Sequence, residues 1–424
     1  MAKGRTSSQR AASTSEKAGA RPPSPANPSP TGGKPVGGKP AGSKPAGGKP
    51  AHAIRPAGLD DLPALLLLEE RSFAIDRLSR RSFRHLLTRA NGSTLVEEAP
   101  DMQGGGQIRG YAAVLFHRGT SLARLYSLAV DPQQRGKGIG AALLAAAEQA
   151  ALEHDAAYMR LEVHQDNRDA QTLYEAAGYH AFAIAHHYYE DDGDAIRMEK
   201  ALTGESGQTH VKMPYHEQTL DFTCGPAALL MAMRTLESKI EVSKRAELRL
   251  WREATTIFMT SGHGGCSPFG LALAAVHRGF EVEVHVTGGG ADFFVDSVRK
   301  SRKKEVIRLV QQDFIDDLCD AGVALHKEPL SIAGLRAAFE RGGIPLVLVS
   351  TYRLDRKRAP HWVTVTGFDD RFVYLNDPFV DRLHHKSRTD CVRVPVPLRD
   401  FDRMTRYGKA RQQAVVVLKK AAAR

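Results

Sequence analysis

A polar, glycine-containing stretch, TGESGQTH at 203–210, separates two parts of this chain that have different sequence patterns. From 53 to 202, strand patterns such as GQIRGYAAVLFHRG alternate with helix patterns such as GAALLAAAEQAALEH, which predicts an α/β domain. From 211 to 420, helical patterns continue to about Phe339 and strand patterns such as IPLVLVSTY follow them, which predicts an α+β domain. The stretch between the two domains is predicted to be a linker.

The first 52 residues have a composition that cannot form a core. The repeat GGKPVGGKPAGSKPAGGKPA occupies 32–51, and nine Lys and Arg residues with one Glu give the segment a net charge of +8, out of +11 for the chain. The segment is therefore predicted to be a disordered tail. It is either a basic arm with a weak contact to nucleic acid or an anionic surface, or, as is more common for charge runs, a solvated tail.

The composition of the whole chain excludes several classes of protein. Hydrophobic residues make up 42 % of the sequence, which is enough for real cores. The longest apolar runs, such as 344–349, have the length of a strand, so no membrane span is expected. The N-terminus lacks the apolar stretch of a secretory signal, and four scattered cysteines do not make a disulfide scaffold. These features predict a cytoplasmic protein.

A glycine-rich loop follows a predicted strand in LAVDPQQRGKGIGAALL, at 128–144, and precedes a predicted helix. Gly136, Gly138 and Gly140 allow backbone amides to turn towards one point, and the helix adds its positive N-terminal end. Arg135 and Lys137 add positive charge, so the loop suits a pyrophosphate. The spacing is neither that of a dinucleotide-binding fold nor that of a P-loop. Taken alone, the glycines also fit a plain connection between a strand and a helix.

Residues 54–200 resemble the GNAT acetyltransferases, and among them the ribosomal-protein alanine N-acetyltransferases, through RGKGIG at 135–140 and LEVHQDNRDAQTLYEAAGY at 161–179. The resemblance implies a mixed central sheet with flanking helices, acetyl-CoA as the acetyl donor, and a peptide or protein amine as the acceptor. It also implies a set of contacts with acetyl-CoA from the strand backbone, the loop and one asparagine. These contacts map to Leu128, Ala129, Val130, Arg135, Gly136, Lys137, Gly138, Ile139, Gly140, Ala141 and Asn167.

The same resemblance implies that Glu162 is the general base and Tyr174 the general acid. The chemistry is reasonable, because an amine must lose a proton to attack a thioester and the departing thiolate must gain one. The alternatives are that Glu162 is an ordinary acidic residue of a strand and that Tyr174 is a residue of the hydrophobic core. The connection EEAPDMQGGG at 97–106 is longer than expected, so the sequence does not identify the acceptor.

A second candidate site begins in HEQTLDFTCGPAALLMAMR, where Cys224 directly precedes a predicted helix. The dipole of that helix favours the thiolate, which is the nucleophilic form. APHWVTVTGFDDRFVYLNDPF places His361 at the start of one strand and Asp377 at the end of the next. A tight turn between the strands brings the two side chains together, so that the carboxylate can orient the imidazole. Gln218 is the candidate for stabilising an oxyanion.

This order of Gln, Cys, His and Asp resembles the papain-like cysteine peptidases, specifically the C-thirty-nine family that removes double-glycine leaders. The resemblance implies that Gln218, Cys224, His361 and Asp377 are catalytic. The interval of 137 residues between the Cys and the His is long for a minimal leader peptidase, and no membrane or ATP-binding segment follows. A soluble peptidase-like protein that cleaves a peptide or amide bond is therefore expected.

Three alternatives remain for this second domain. In the first, Cys224 is a buried structural thiol, since free cysteine is often found in cores. In the second, the domain binds a peptide without cutting it. In the third, an amine captures the acyl-enzyme in place of water. His263 and Cys266 are three residues apart without a second ligand pair, which is weak as a metal site. No metal is expected, and the pair at 384–385 is expected to be exposed.

Overall fold

The computed structural model describes residues 52–99, 106–203, 209–255, 264–288, 290–295, 301–352, 359–382, 386–408 and 410–421. The predicted tail, up to residue 51, lies outside the described residues, as do His263 and the pair at 384–385. We call 52–203 the first unit and 209–421 the second unit. The domain boundaries 53–202 and 211–420 stay predictions, because most of the linker is not described.

The first unit is a seven-stranded mixed sheet with helices on both faces. The strands follow the order β1-β2-β3-β4-β5-β7-β6, and the pair β4–β5 is parallel. The elements are β1 (Ala53–Pro56), α1 (Leu62–Ser72), α2 (Arg80–Thr88), β2 (Gly92–Glu98), β3 (Ile108–Phe116), β4 (Leu122–Val130), α3 (Ile139–Glu153), β5 (Tyr158–His164), α4 (Arg168–Ala176), β6 (His180–Ala185) and β7 (Ala195–Ala201).

Helices α3 and α4 cover one face of this sheet and α1 and α2 cover the other, each through its own apolar cluster. Strand β4 is irregular in its middle: Ser127 pairs with Ala113 and Leu125 with Val114, so Tyr126 is an extra residue that forms a bulge. Pairing of β4 with β5 covers 122–124 of β4 and no later residue. The two parallel strands therefore part after Arg124, which leaves one backbone edge of β4 unpaired.

The second unit is built on an eight-stranded sheet, in which β10-β9-β15-β11-β12-β13-β14 form the path and β8 pairs with β12. Its elements are β8 (Thr209–His210), α5 (Cys224–Leu236), α6 (Lys244–Ala254), α7 (Pro268–Val276), β9 (Phe280–Val286), α8 (Ser301–Asp320), β10 (Ala324–His326), α9 (Ile332–Glu340), β11 (Ile344–Ser350), β12 (Pro360–Phe368), β13 (Phe372–Asn376), β14 (Val394–Pro397), α10 (Leu398–Met404) and β15 (Ala414–Lys420).

Two features of this unit differ from the sequence-based expectation. Strands β9 and β10 lie inside the region expected to be helical. In β9, the sequence FEVEVHV alternates buried residues with more exposed ones, which is the period of a strand. Strand β10 pairs with β9 in parallel. The last two residues of the predicted linker form β8, which adds to the edge of β12. None of the helices in the described part of the chain combines the length and apolar character that crossing a bilayer requires.

The two units pack directly against each other. Tyr158 of the first unit and Phe372 and Tyr374 of the second belong to one small apolar cluster, and the hydroxyls of Tyr158 and Tyr374 are 2.8 Å apart. The backbone N–H of Ser121 also donates to the carbonyl of Pro395 at 2.9 Å. The sheets are thus joined through the starts of β4 and β5.

Candidate active sites

The glycine-rich loop lies between the end of β4 and the start of α3. Gly136 has φ +76° and Gly138 has φ +83°, conformations that L side chains rarely adopt. Gly138 caps α3, so the first backbone N–H groups of that helix point out of its N-terminus without a partner inside it. The Lys137 ammonium is held at 2.8 Å by the Gln134 side chain. The loop thus presents amide donors and positive charge, the arrangement that suits a phosphate.

The residues predicted to hold the pantetheine arm lie where β4 has left β5. Leu128, Ala129 and Val130 pair with β3 on one side, while no pairing with β5 extends beyond Arg124. Their second backbone edge therefore has no strand partner, an arrangement that suits an extended ligand, and only the Val130 carbonyl has a side-chain donor near it among the described residues, the Ser72 hydroxyl at 3.5 Å. Asn167 lies at the start of α4, where its side-chain oxygen accepts from the N–H of Ala170 at 3.2 Å and caps the helix.

The structure places Glu162 in a buried ion pair. Arg124 of β4 donates to Glu162 Oε2 from Nε at 3.0 Å and from Nη2 at 2.9 Å. Thr389, from the second unit, donates its hydroxyl to Glu162 Oε1. Neither partner was predicted. Arg124 gives a signal in the sequence, since it is a single charged residue in the apolar strand LARLYSLAV; Thr389 gives none.

Tyr174 lies on α4 with no exposed surface, and its hydroxyl has no hydrogen-bond partner among the described residues. Burial, with a smaller effect of the nearby Tyr189, raises the Tyr174 pKa well above its usual value. Tyr174 belongs to the apolar cluster that contains Leu161 and Val163 of β5. Glu162 alternates with these two residues and therefore points to the other face of the sheet. The two predicted groups therefore lie on opposite faces of the sheet.

Cys224 is the first residue of α5, and Gly225 and Trp362 provide backbone N–H donors to its sulfur. Burial acts to raise the pKa of the thiol, but the charge and hydrogen bond of His361, helped by those donors, outweigh it and lower the pKa below its ordinary value. The thiol and the imidazole are therefore in direct contact, at the N-terminus of a helix.

His361 and Asp377 form the second half of this cluster. His361 Nε2 lies 2.7 Å from Asp377 Oδ1, as expected from adjacent antiparallel strands β12 and β13. Burial acts to lower the pKa of His361, but the Asp377 and Cys224 charges raise it to about 10. Lys386 approaches the other oxygen of Asp377 at 2.5 Å. Lys386 was not predicted, and nothing in DRLHHKSR at 381–388 distinguishes it.

Gln218 lies next to the triad, but its side-chain amide is engaged elsewhere. Its backbone N–H donates to the carbonyl of Pro378 at 2.9 Å, which places it beside Asp377. Its side-chain N–H donates to the carbonyl of Leu220 at 2.9 Å, and its Oε1 is buried with no partner in the described part of the chain. In this arrangement one amide N–H of Gln218 is used by the backbone, so its predicted role at an oxyanion stays a prediction.

Cys266 lies in the loop beside Cys224. Its carbonyl accepts from the Trp362 indole at 3.2 Å, and burial, followed by the Cys224 charge, raises its pKa well above the usual value. Its predicted companion, His263, is outside the described residues. Within the described ranges no group of three or more His, Cys, Asp or Glu side chains is arranged to hold a metal ion.

A cavity of about 350 Å³ lies between the two units. His117 of the β3–β4 turn lines it from the first unit, and His361, Asp377, Lys386 and Asp390 from the second. Neither Cys224 nor Glu162 lines the cavity. It therefore touches the triad beside the imidazole and not at the thiol.

Comparisons with known families agree with this division of the chain. The acetyltransferase (GNAT) family profile matches residues 62–179, and the profile of the Peptidase_C39 like family matches residues 213–419. The first match covers the parted strands and the glycine-rich loop, and the second covers Cys224, His361 and Asp377.

Individual relatives match the first unit. The Bacillus subtilis (strain 168) protein named "Putative ribosomal protein bS18-alanine N-acetyltransferase" is 29 % identical over 147 residues, which are 34 % of this chain and 93 % of that protein. An N-alpha-acetyltransferase of Sulfurisphaera tokodaii is 40 % identical over 77 residues, 18 % of this chain and 46 % of that protein. The crystal structure of the ribosomal-protein-S18-alanine N-acetyltransferase from Escherichia coli has 26 % identity and a TM-score of 0.32, covering 37 % of this chain and 96 % of that one.

The first unit is thus an acetyltransferase with the GNAT fold, and the second is a mixed-sheet unit with a buried cysteine, histidine and aspartate at one edge. The chain joins a segment of the GNAT acetyltransferase family, over 62–179, to a segment of the Peptidase_C39 like family, over 213–419.

Proposed function

We propose that the first unit transfers the acetyl group of acetyl-CoA to the amine of a peptide or protein. The observation that carries this proposal is the loop with positive φ at Gly136 and Gly138, placed directly after the unpaired edge of β4. Two buried polar atoms have no hydrogen-bond partner among the described residues: Nε of Arg135 and the hydroxyl of Tyr174. Bound acetyl-CoA would give each of them a partner. Two relatives bear names that specify an alanine and an N-alpha acceptor, which favours a peptide α-amine.

Acetyl-CoA supplies the activated acetyl thioester, and the residues of the chain supply binding and proton transfer. The amides of 136–141 hold the phosphates, and the free edge at 128–130 holds the extended arm. Glu162, directly or through a water, takes the proton that the amine loses as its nitrogen forms the amide bond. Tyr174 remains protonated because burial raises its pKa, so its hydroxyl has a proton to give to the departing sulfur.

We propose that the second unit uses Cys224 as a nucleophile on a peptide or amide bond. The thiolate attacks the carbonyl carbon, the imidazolium of His361 gives its proton to the leaving amine, and an acyl thioester remains. Water then attacks the thioester, with His361 taking the proton, and the acid product leaves. Asp377, 2.7 Å from the imidazole, keeps the ring oriented. The lowered Cys224 pKa and the raised His361 pKa support this role.

A second function is favoured by the geometry of Gln218. One of the two side-chain N–H groups of Gln218 donates to the Leu220 carbonyl, so in this orientation Gln218 offers at most one donor to an oxyanion. This arrangement favours a second unit that holds a peptide without cutting it and presents it to the acetyltransferase. In this alternative the first unit still transfers the acetyl group, and only the second unit differs, because it leaves the peptide bond intact.

Mass spectrometry of a peptide library incubated with the whole protein, with and without acetyl-CoA, separates these functions. The proposal predicts mass gains of one acetyl group that need acetyl-CoA, and cleavage products that do not. Acetylation without cleavage at any peptide favours the binding function. Absence of acetylation on every peptide contradicts the proposed activity of the first unit, and ligation products in place of acids reveal capture of the acyl-enzyme by an amine.

A further inference from the structure

One short segment of the second unit, residues 386–393, touches both candidate sites, and we call it the bridging segment. At its start, the Lys386 ammonium lies 2.5 Å from the Asp377 carboxylate of the cysteine site. Three residues later, the Thr389 hydroxyl donates to Glu162 of the acetyltransferase unit. The contact with Glu162 is made between residues 227 positions apart in the chain.

The acetyltransferase sheet holds the bridging segment through two buried arginines. Arg160 of β5 donates to three of its carbonyls, those of Thr389 at 2.8 Å, Val392 at 2.5 Å and Arg393 at 3.0 Å. Arg124 of β4 reaches the carboxylate of Asp390 at 3.2 Å. Buried charges need partners, and the second unit provides part of what these two guanidinium groups require.

The bridging segment is also fixed from within. Its 3-10 helix, Arg388–Asp390, is capped by Ser387, whose side chain and backbone N–H both bind Asp390 Oδ2, at 2.9 Å and 2.7 Å. The backbone N–H of Asp377 donates to the carbonyl of Cys391 at 2.8 Å. Thr389 is fully buried. Its hydroxyl is therefore presented to Glu162 from a rigid support and not from a mobile loop.

We propose that Thr389 is a positioning residue of the acetyl-transfer site, supplied by the peptidase-like unit. The inference rests on the proposed function of the first unit. The torsion that rotates a glutamate carboxylate has a low barrier, and Arg124 contacts only Oε2 of Glu162. The Thr389 hydroxyl fixes Oε1, which retains a second lone pair for the proton of the amine or of a relaying water. The acetyl-transfer site is thus composite and incomplete without the second unit.

The test compares three variants of the whole protein. Thr389→Val removes the hydroxyl with little change of shape, and Thr389→Ser restores it. Thr366→Val is the matched control, since Thr366 is also fully buried in the second unit and its hydroxyl has no partner in the described part of the chain. The substrate is the library peptide that wild type acetylates fastest, and calorimetry with acetyl-CoA confirms that each variant is folded and loaded.

We expect Thr389→Val to lower kcat for acetyl transfer roughly tenfold or more, since misplacing a catalytic group by ~1 Å can cost up to 10²-fold. The KM for acetyl-CoA stays unchanged, because the glycine-rich loop is untouched, and Thr389→Ser recovers most of kcat. A kcat for Thr389→Val within twofold of wild type overturns the inference, as does an equal loss in Thr366→Val or a failure of Ser to restore activity. A wild type that acetylates no peptide contradicts the proposed function itself, together with this inference.

Discussion

At the scale of single residues, Cys224 and His361 each favour the charged form of the other. The Asp377 and Cys224 charges raise the His361 pKa to about 10, while His361 lowers that of Cys224. Both shifts oppose burial, which acts against either charged form. Together the two shifts favour the thiolate–imidazolium pair over the neutral thiol and imidazole.

This ionisation predicts fast alkylation of Cys224 at pH 6, where an unperturbed thiol is almost fully protonated. Treatment with iodoacetamide followed by peptide mapping should label Cys224 before Cys319, which is exposed on α8 and serves as an internal control. His361→Ala should remove this preference. Equal labelling of the two cysteines at pH 6 in the wild type contradicts the ion pair.

The Tyr174 hydroxyl allows a similarly specific test in the first unit. Because it has no partner among the described residues, Tyr174→Phe should leave the melting temperature unchanged. If the hydroxyl supplies the proton for the departing sulfur, acetyl transfer should slow by ~100-fold, the usual contribution of a positioned acid. Tyr179→Phe, a change to the ring packed against it at 5.9 Å, is the control and should retain activity.

At the scale of secondary-structure elements, the proposed binding of the acetyl-CoA phosphates depends on the junction of β4 and α3. Gly138 caps α3 at φ +83°, so Gly138→Val should strain the turn by ~1–3 kcal/mol and block the approach of a phosphate. Calorimetry should show a large loss of acetyl-CoA affinity. Gly322→Val imposes the same backbone strain at φ +74°, with open space around the side chain, and should bind acetyl-CoA normally. Equal affinity of Gly138→Val and wild type removes the loop from the site.

Helix α1 carries a carboxyl group that makes stability depend on pH. Burial raises the pKa of Glu69 from 4.5 to about 7, against the opposing effects of the Leu78 N–H, the Tyr111 hydroxyl and Arg77. The folded state prefers the protonated acid. The stabilisation that Glu69 contributes to the free energy of unfolding is therefore fully present below pH 4.5 and is lost as pH rises through 7. The loss is on the order of 3 kcal/mol. Glu69→Gln should flatten this dependence in urea unfolding followed by circular dichroism, and an unchanged slope contradicts the assignment.

Sequence patterns predict best those features that depend on residues close together in the chain. The loop at 135–141 and the helix after it were predicted because glycine, charge and an apolar helix pattern follow one another directly. Strand β9 was missed, although its burial alternates along FEVEVHV, because it lies between strong helical patterns. His361 and Asp377 were placed together correctly, since a short turn joins β12 and β13.

At the scale of the whole molecule, the contacts that join the two units have no local signal. The hydrogen bond of Thr389 to Glu162 spans 227 positions, and that of Arg160 to the Thr389 carbonyl spans 229. Which surface residue meets which carboxylate depends on how two folded sheets dock, and periodicity within either sheet carries no information about that. The structure adds to the sequence mainly here, by placing a residue of the peptidase-like unit on the proposed base of the acetyltransferase.

The central claim is that one chain carries two chemically distinct sites, and a single reaction mixture tests it. Peptide and acetyl-CoA are incubated with wild type, Cys224→Ala or Tyr174→Phe, and cut and acetylated products are counted by mass. We predict both products from the wild type, acetylation without cleavage from Cys224→Ala, and cleavage with acetylation slowed by ~100-fold from Tyr174→Phe. Full cleavage by Cys224→Ala, or an equal loss of both products in either variant, would contradict the account.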